Sequence, residues 1–183
     1  MTGMIARRAV ARGAWVAPAN ERLAEVVALR RPEPEVLLGP LQAAQVNALR
    51  QTPGGFLCLA EDTLTTEPQV RPVNVRRLLS LVRRLATLEG TQYVFEPNDP
   101  TLRRAVERGF TEVLAFLYRL GAFAGRTAQE AFQVAVGDPP NAAQGTDRGQ
   151  LVVELKFAPA QPLEFLLVRL LQAGDQGLTL EVS

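Results

Sequence analysis

Asn74-Val75-Arg76-Arg77-Leu78-Leu79-Ser80-Leu81-Val82-Arg83-Arg84-Leu85-Ala86-Thr87-Leu88-Glu89 is the stretch on which the fold turns. Val75, Leu78, Leu79, Val82, Leu85 and Ala86 recur at spacings of three and four, the period of a helix with one apolar face. Asn74 is placed to cap its start through the side-chain oxygen, and Gly90 to close its end. The other face carries Arg76, Arg77, Ser80, Arg83, Arg84 and Thr87. Four arginines on one face suit either phosphate or a protein partner. No aromatics interleave Arg71, Arg76, Arg77, Arg83 and Arg84, which disfavours nucleic acid and leaves a solvated or partner-facing stripe.

Downstream, Thr91 to Phe95 is short and β-prone and predicts a strand running into Glu96-Pro97-Asn98-Asp99-Pro100. Asp99 as N-cap with Pro100 in the first helical position predicts a second helix to about Leu120. Its stripe is Leu102, Val106, Phe110, Val113, Leu114, Leu117 and Leu120. Gly109 interrupts it at a cost of up to ~1 kcal/mol relative to alanine, which predicts close packing against another element. Gly121 and Gly125 bracket the exit, and Thr127 with Glu130 fits a capping box for one further turn. Gly137 to Gly149 reads as a loop. Leu151 to Ala158 and Leu163 to Leu171 read as strands; the second is apolar on both faces, as central strands are. Ala173-Gly174-Asp175-Gln176-Gly177 reads as a linker leading to a last strand, Leu178 to Val182.

Upstream, Leu23 to Leu29 and Phe56 to Ala60 read as strands and Leu41 to Arg50 as a short helix. The fold class expected is α+β: a two-layer arrangement of a mixed or antiparallel sheet on two longer amphipathic helices, with an extended terminal arm. The domain runs over 1–172, and 173–183 is linker and arm.

Composition narrows the chemistry. The 183 residues suffice for one domain with a sizeable core, and 20 basic against 19 acidic residues leave no polyanion-binding signature. Only one basic residue is a lysine, Lys156; arginine forks suit protein contacts with carboxylates. Histidine is absent, removing the commonest general base. The single cysteine, Cys58, lies in an apolar run and reads as buried filler; it excludes an internal disulfide and a Cys-rich metal site. No apolar run reaches the ~20 residues of a membrane span, and Met1 to Arg12 is no secretory signal, so cytoplasmic synthesis is expected. The carboxylate pairs Glu61-Asp62 and Glu96 with Asp99 sit among turn-formers or at a helix start. Gly54-Gly55 lacks the pattern of a phosphate loop. No catalytic, metal or cofactor constellation is expected, and the chain is read as no enzyme.

Taken in order, Val73-Asn74-Val75-Arg76-Arg77-Leu78, Val94-Phe95-Glu96-Pro97-Asn98-Asp99, Gly149-Gln150-Leu151-Val152-Val153-Glu154 and Ala158-Pro159-Ala160-Gln161-Pro162-Leu163-Glu164-Phe165 resemble the C-terminal domain of contractile tail sheath proteins of phages and phage-tail-like injection particles. Gly3 to Arg7 and Arg12 to Asn20 resemble it too. Two departures are local: Glu61-Asp62 stands where the family usually has a basic residue before Thr63-Leu64, and the 138–149 loop is shorter and richer in proline. Members are commonly longer, with an N-terminal arm and outer domains ahead of the Gly3 match. The resemblance therefore implies an inner domain or a short sheath-like paralogue, monomeric or weakly associated in dilute solution.

Functionally, the resemblance implies a structural subunit that polymerises around an inner tube and contracts to drive it through a target envelope. The alternative is a non-contractile cap or baseplate adaptor. Implied partners are other sheath subunits, the tube protein and baseplate or cap proteins, with no nucleic acid, no direct membrane contact and no cofactor. The implied location is cytoplasm, then virion or phage-tail-like particle. Strand exchange between subunits is implied, with Leu178 to Val182 as donor and the Leu151 to Leu171 hairpin as acceptor. The interface candidates are Arg76, Arg77, Arg83, Arg84, Leu178, Leu180 and Val182.

Overall fold

A computed structural model describes residues 2–31, 34–94, 96–137, 151–159, 166–172 and 178–182. The chain divides into two compact units, residues 1–78 and 79–183, the boundary falling inside the arginine-bearing helix.

The first unit contains α1 (Thr2–Arg12), β1 (Arg22–Leu23), α2 (Glu35–Ala43), β2 (Leu49–Thr52), β3 (Gly55–Cys58) and the opening of α3 (Val73–Gly90). Its three strands are antiparallel in the order β1-β3-β2. Phe56, Cys58, Ala60, Val70, Val75 and Leu78 are buried in it. Cys58 is the filler expected: its thiol donates to the Ala60 carbonyl at 3.2 Å, and burial pushes its pKa up.

Three expectations here are corrected. Of the strand expected over Leu23 to Leu29 only Leu23 is strand, as the second residue of β1. The helix expected over Leu41 to Arg50 lies earlier, as α2, and Leu49 and Arg50 belong to β2. Its end is set by Gln45 at φ 59°: the Gln45 N–H donates to the Gln42 carbonyl and that of Val46 to Leu41, a Schellman closure without glycine. Asn74 is no N-cap. The helix begins at Val73, and the buried Asn74 amide donates to the Trp15 carbonyl at 3.1 Å.

The second unit holds the rest of α3, a 3-10 turn (Thr91–Tyr93), α4 (Pro100–Arg119), α5 (Ala128–Ala131), β4 (Phe132–Gly137), β5 (Leu151–Phe157), β6 (Leu166–Gln172) and β7 (Leu178–Val182). The sheet is antiparallel throughout, in the order β4-β5-β6-β7. The class is therefore α+β, with β5 and β6 interior as their apolar residues require. Val134, Leu155, Val168 and Val182 share one register row, and Val136, Val153, Leu170 and Leu180 the next. Against this face lies α4: Val106 and Phe110 meet Leu151, Val153 and Leu170, leaving a void of only about 10 Å³. Phe123 stacks at tilted angles on Phe157 (5.2 Å) and Phe132 (6.1 Å). Each such fully buried large apolar side chain contributes roughly 1.5–3 kcal/mol.

Helix α4 starts as its sequence dictates, the Asp99 carboxylate accepting the Leu102 N–H at 2.7 Å with Pro100 following. It ends on Gly121 at φ 80°, with Gly121 and Ala122 donating to the Tyr118 and Leu117 carbonyls. Thr127 caps α5 by accepting from Glu130 N–H, and Glu130 reaches back to the Arg126 N–H.

Two expectations fail in this unit. Thr91 to Tyr93 is a 3-10 turn rather than a strand, and Gly90 keeps a right-handed φ of −62° instead of capping α3. The cause is Glu89, whose carboxylate accepts from the Gln92 amide (3.1 Å) and the Tyr93 hydroxyl (2.7 Å), holding the backbone at helical spacing. Strand β4, which carries no expectation from the sequence, supplies the edge beside β5. Phe95, most of the 137–149 loop, residues 160–165 and the 173–177 linker lie outside the described residues.

Candidate interaction surfaces

The four arginines of α3 differ in what they are free to do. In the first unit, Arg77 is half-buried and donates to the Ile5 carbonyl at 3.5 Å, while Arg76 is exposed. In the second unit, Arg83 and Arg84 are both exposed and follow the buried Val82 directly. Arg83 and Arg84 are thus presented to solvent by a helix turn whose opposite side is fixed in the core.

The sheet of the second unit presents two faces and two edges. The face opposite α4 carries Glu154 and Arg169, paired across β5 and β6 with Arg169 Nε and Nη2 at 2.8 and 2.7 Å from Glu154 Oε1. The β7 residues Leu178, Leu180 and Val182 pair in register with Gln172, Leu170 and Val168. In the isolated chain, then, the last strand lies on its own sheet, at one edge, with β4 at the other.

The carboxylate pairs do not form a site. Glu96 and Asp99 are exposed beside an open groove of about 360 Å³, and Asp99 is committed to its cap. Asp62 is tied through its backbone to Asn47, with N–H to Oδ1 and Nδ2 to carbonyl both at 2.8 Å. Among the described residues no cluster of three or more His, Cys, Asp or Glu is positioned for a metal, and no helix is long and apolar enough to cross a membrane.

Exposed apolar residues, which the sequence reading passed over, concentrate in the first unit: Val10, Val27, Val36 and Leu64 are each 79% or more exposed. Helix α2 buries none of its residues. The signal available in the sequence was the run Val36-Leu37-Leu38, too short to show a period.

The family described as phage tail sheath C-terminal domain matches residues 65–172. Among solved structures, a chain of the anti-feeding prophage baseplate is 27% identical at a TM-score of 0.80, covering 89% of this chain and 46% of that one. A chain of the contracted sheath complex of the extracellular contractile injection system PVC is 27% identical at 0.79, covering 87% and 46%. The sheath tail protein of Desulfitobacterium hafniense, 12% identical at 0.67 over 87% of this chain and 37% of that one, shares the fold. The chain spans less than half the length of these proteins. No curated protein matches it.

Proposed function

The chain belongs to the phage tail sheath C-terminal domain family, and from that premise we propose that it is a structural subunit of a contractile sheath, polymerising around an inner tube and contracting to drive it. The likeness to a chain of a contracted sheath complex carries this reading. Its partners are other sheath subunits, the tube protein and baseplate or cap proteins; its work is mechanical rather than catalytic, without nucleic acid, membrane or cofactor. It is made in the cytoplasm and ends in a virion or phage-tail-like particle. A non-contractile baseplate or cap adaptor is the second reading, favoured by the equal likeness to a baseplate chain.

Subunits that stay joined through contraction need links that tolerate rigid-body rotation, and a strand added to a neighbour's sheet gives such a link. Residues 178–182 suit that role. They pair at the edge of their own sheet, and an identical copy offers the same β6 register. Leu178, Leu180 and Val182 then form the inter-subunit contact, and Arg76, Arg77, Arg83 and Arg84 face a neighbour or the tube.

A reversible lock tests this. Leu171 and Thr179 are direct cross-strand partners, so cysteines at both positions oxidise to hold β7 on its own sheet. The oxidised variant is expected to stay out of particles and the reduced one to enter them. Equal entry in both states would remove strand exchange, and absence of the unsubstituted chain from particles would remove the sheath reading.

A further inference from the structure

The register of β7 is not the one that its apolar residues alone would choose. Leu178, Leu180 and Val182 stand opposite Gln172, Leu170 and Val168. Moved by two residues along β6, the same three would stand opposite Leu170, Val168 and Leu166, each of them 3% exposed or less. A two-residue step keeps every residue on its own face, so the alternation that forbids a one-residue slip says nothing against it. It would even exchange the pairing of Leu178 with Gln172 for an apolar one. The step in the other direction carries Leu178 past the end of β6 and loses a pair. Within one chain the connection between two strands helps to fix their register; a strand arriving from another subunit has no such guide.

The two registers differ on the other face. Glu154, Arg169 and Glu181 occupy one row across β5, β6 and β7. Arg169 is half-buried, and its Nε and Nη2 donate to Glu154 Oε1 at 2.8 and 2.7 Å. A guanidinium carries five donors, so one fixed in this way is oriented in advance for a second carboxylate and loses little further freedom in meeting it. After the two-residue step Glu181 would instead stand opposite Leu167, and Thr179 opposite Arg169. We infer that Arg169 is the register key of strand exchange: held by Glu154, it admits a strand from a second copy in the one register that brings the Glu181 carboxylate opposite its guanidinium. This rests on the reading that residues 178–182 cross between subunits, and adds to it the residue that selects how they pair.

Mixed particles test it. An acceptor chain carries Leu171→Cys. A donor chain carries either Thr179→Cys, the partner of position 171 in the observed register, or Gly177→Cys, its partner after the step; Cys58, fully buried, stays silent. Oxidation is expected to favour the first link over the second by about tenfold or more. Glu181→Leu on the donor should reverse that preference, and so should Arg169→Leu on the acceptor. A preference that neither substitution moves overturns the key while strand exchange stands, because the links still join separate chains. Particles that contain both chains and yield neither link remove exchange and key together. Reversing the whole row in every chain, with Glu154→Arg, Arg169→Glu and Glu181→Arg, keeps the charges complementary. It should restore both entry into particles and the first link wherever a single substitution has abolished them, and a reversed row that restores neither overturns the key.

Discussion

The Tyr93 hydroxyl donates to the Glu89 carboxylate at 2.7 Å directly over Gly109, so close that a β-carbon at 109 would lie 2.5 Å from the hydroxyl oxygen. Helix α4 therefore needs glycine where its propensity would prefer alanine. Gly109→Ala gains up to ~1 kcal/mol of helix propensity but displaces a hydrogen-bonded pair. A net loss of about 1 kcal/mol is expected from chemical denaturation. With Glu89→Ala and Tyr93→Phe already in place the obstacle is gone, and the same substitution should become stabilising. An unchanged sign in that background would show that the pair is not what excludes alanine.

The same pair predicts a pH response. Burial first, then the hydrogen bond and charge of Glu89 and the charge of Glu112, push the Tyr93 pKa up from 10.0 to about 12. The folded state thus holds a proton that the unfolded chain has lost, so this contribution is complete below pH 10 and disappears as pH rises through about 12. Tyrosinate absorbance of the folded protein is expected to show a late step that Tyr93→Phe deletes. A late step that survives Tyr93→Phe, or no late step in the unsubstituted protein, would contradict the pairing with Glu89.

The second unit was legible because its signals are local. Asp99-Pro100 starts α4, Gly121 ends it, and the stripe from Val106 to Leu117 is the face that is buried. Strand β4 escaped because Phe132 to Gly137 follows one helical turn and is defined by its ladder to β5, whose residues begin only at Leu151. The turn at Thr91 escaped because two side chains, not backbone propensity, decide it. The first unit was least legible, since polar tethers between distant residues hold it: Asn74 to Trp15, Asn47 to Asp62, and Arg7 and Arg8 to Glu21. Such tethers leave no period in the sequence. Helix α1 hid for a related reason, burying Met4 alone.

Gln45 separates backbone strain from tethering. Gln45→Gly removes two hydrogen bonds to loop carbonyls but relieves the φ of 59°; Gln45→Ala removes the bonds and keeps the strain. Both should destabilise, by roughly 1–3 kcal/mol for alanine and about 1 kcal/mol less for glycine. Equal losses in urea unfolding would mean that the left-handed conformation costs nothing here.

Arg83 and Arg84 carry the prediction that bears most directly on assembly. Both are exposed on α3, whose neighbours Val82 and Ala86 are buried, so charge reversal alters the surface without entering the core. Surface substitutions of this kind shift stability by about 0.5 kcal/mol or less. Arg83→Glu with Arg84→Glu should therefore leave the melting temperature nearly unchanged. If these guanidiniums meet carboxylates on a neighbour or on the tube, the reversal places like charges together at several kcal/mol and assembly stops. Folded protein that still enters particles at the normal level would reduce the two arginines to a solvated stripe. An assembly defect relieved by salt would instead identify a rim contact, since screening weakens like-charge repulsion between exposed groups.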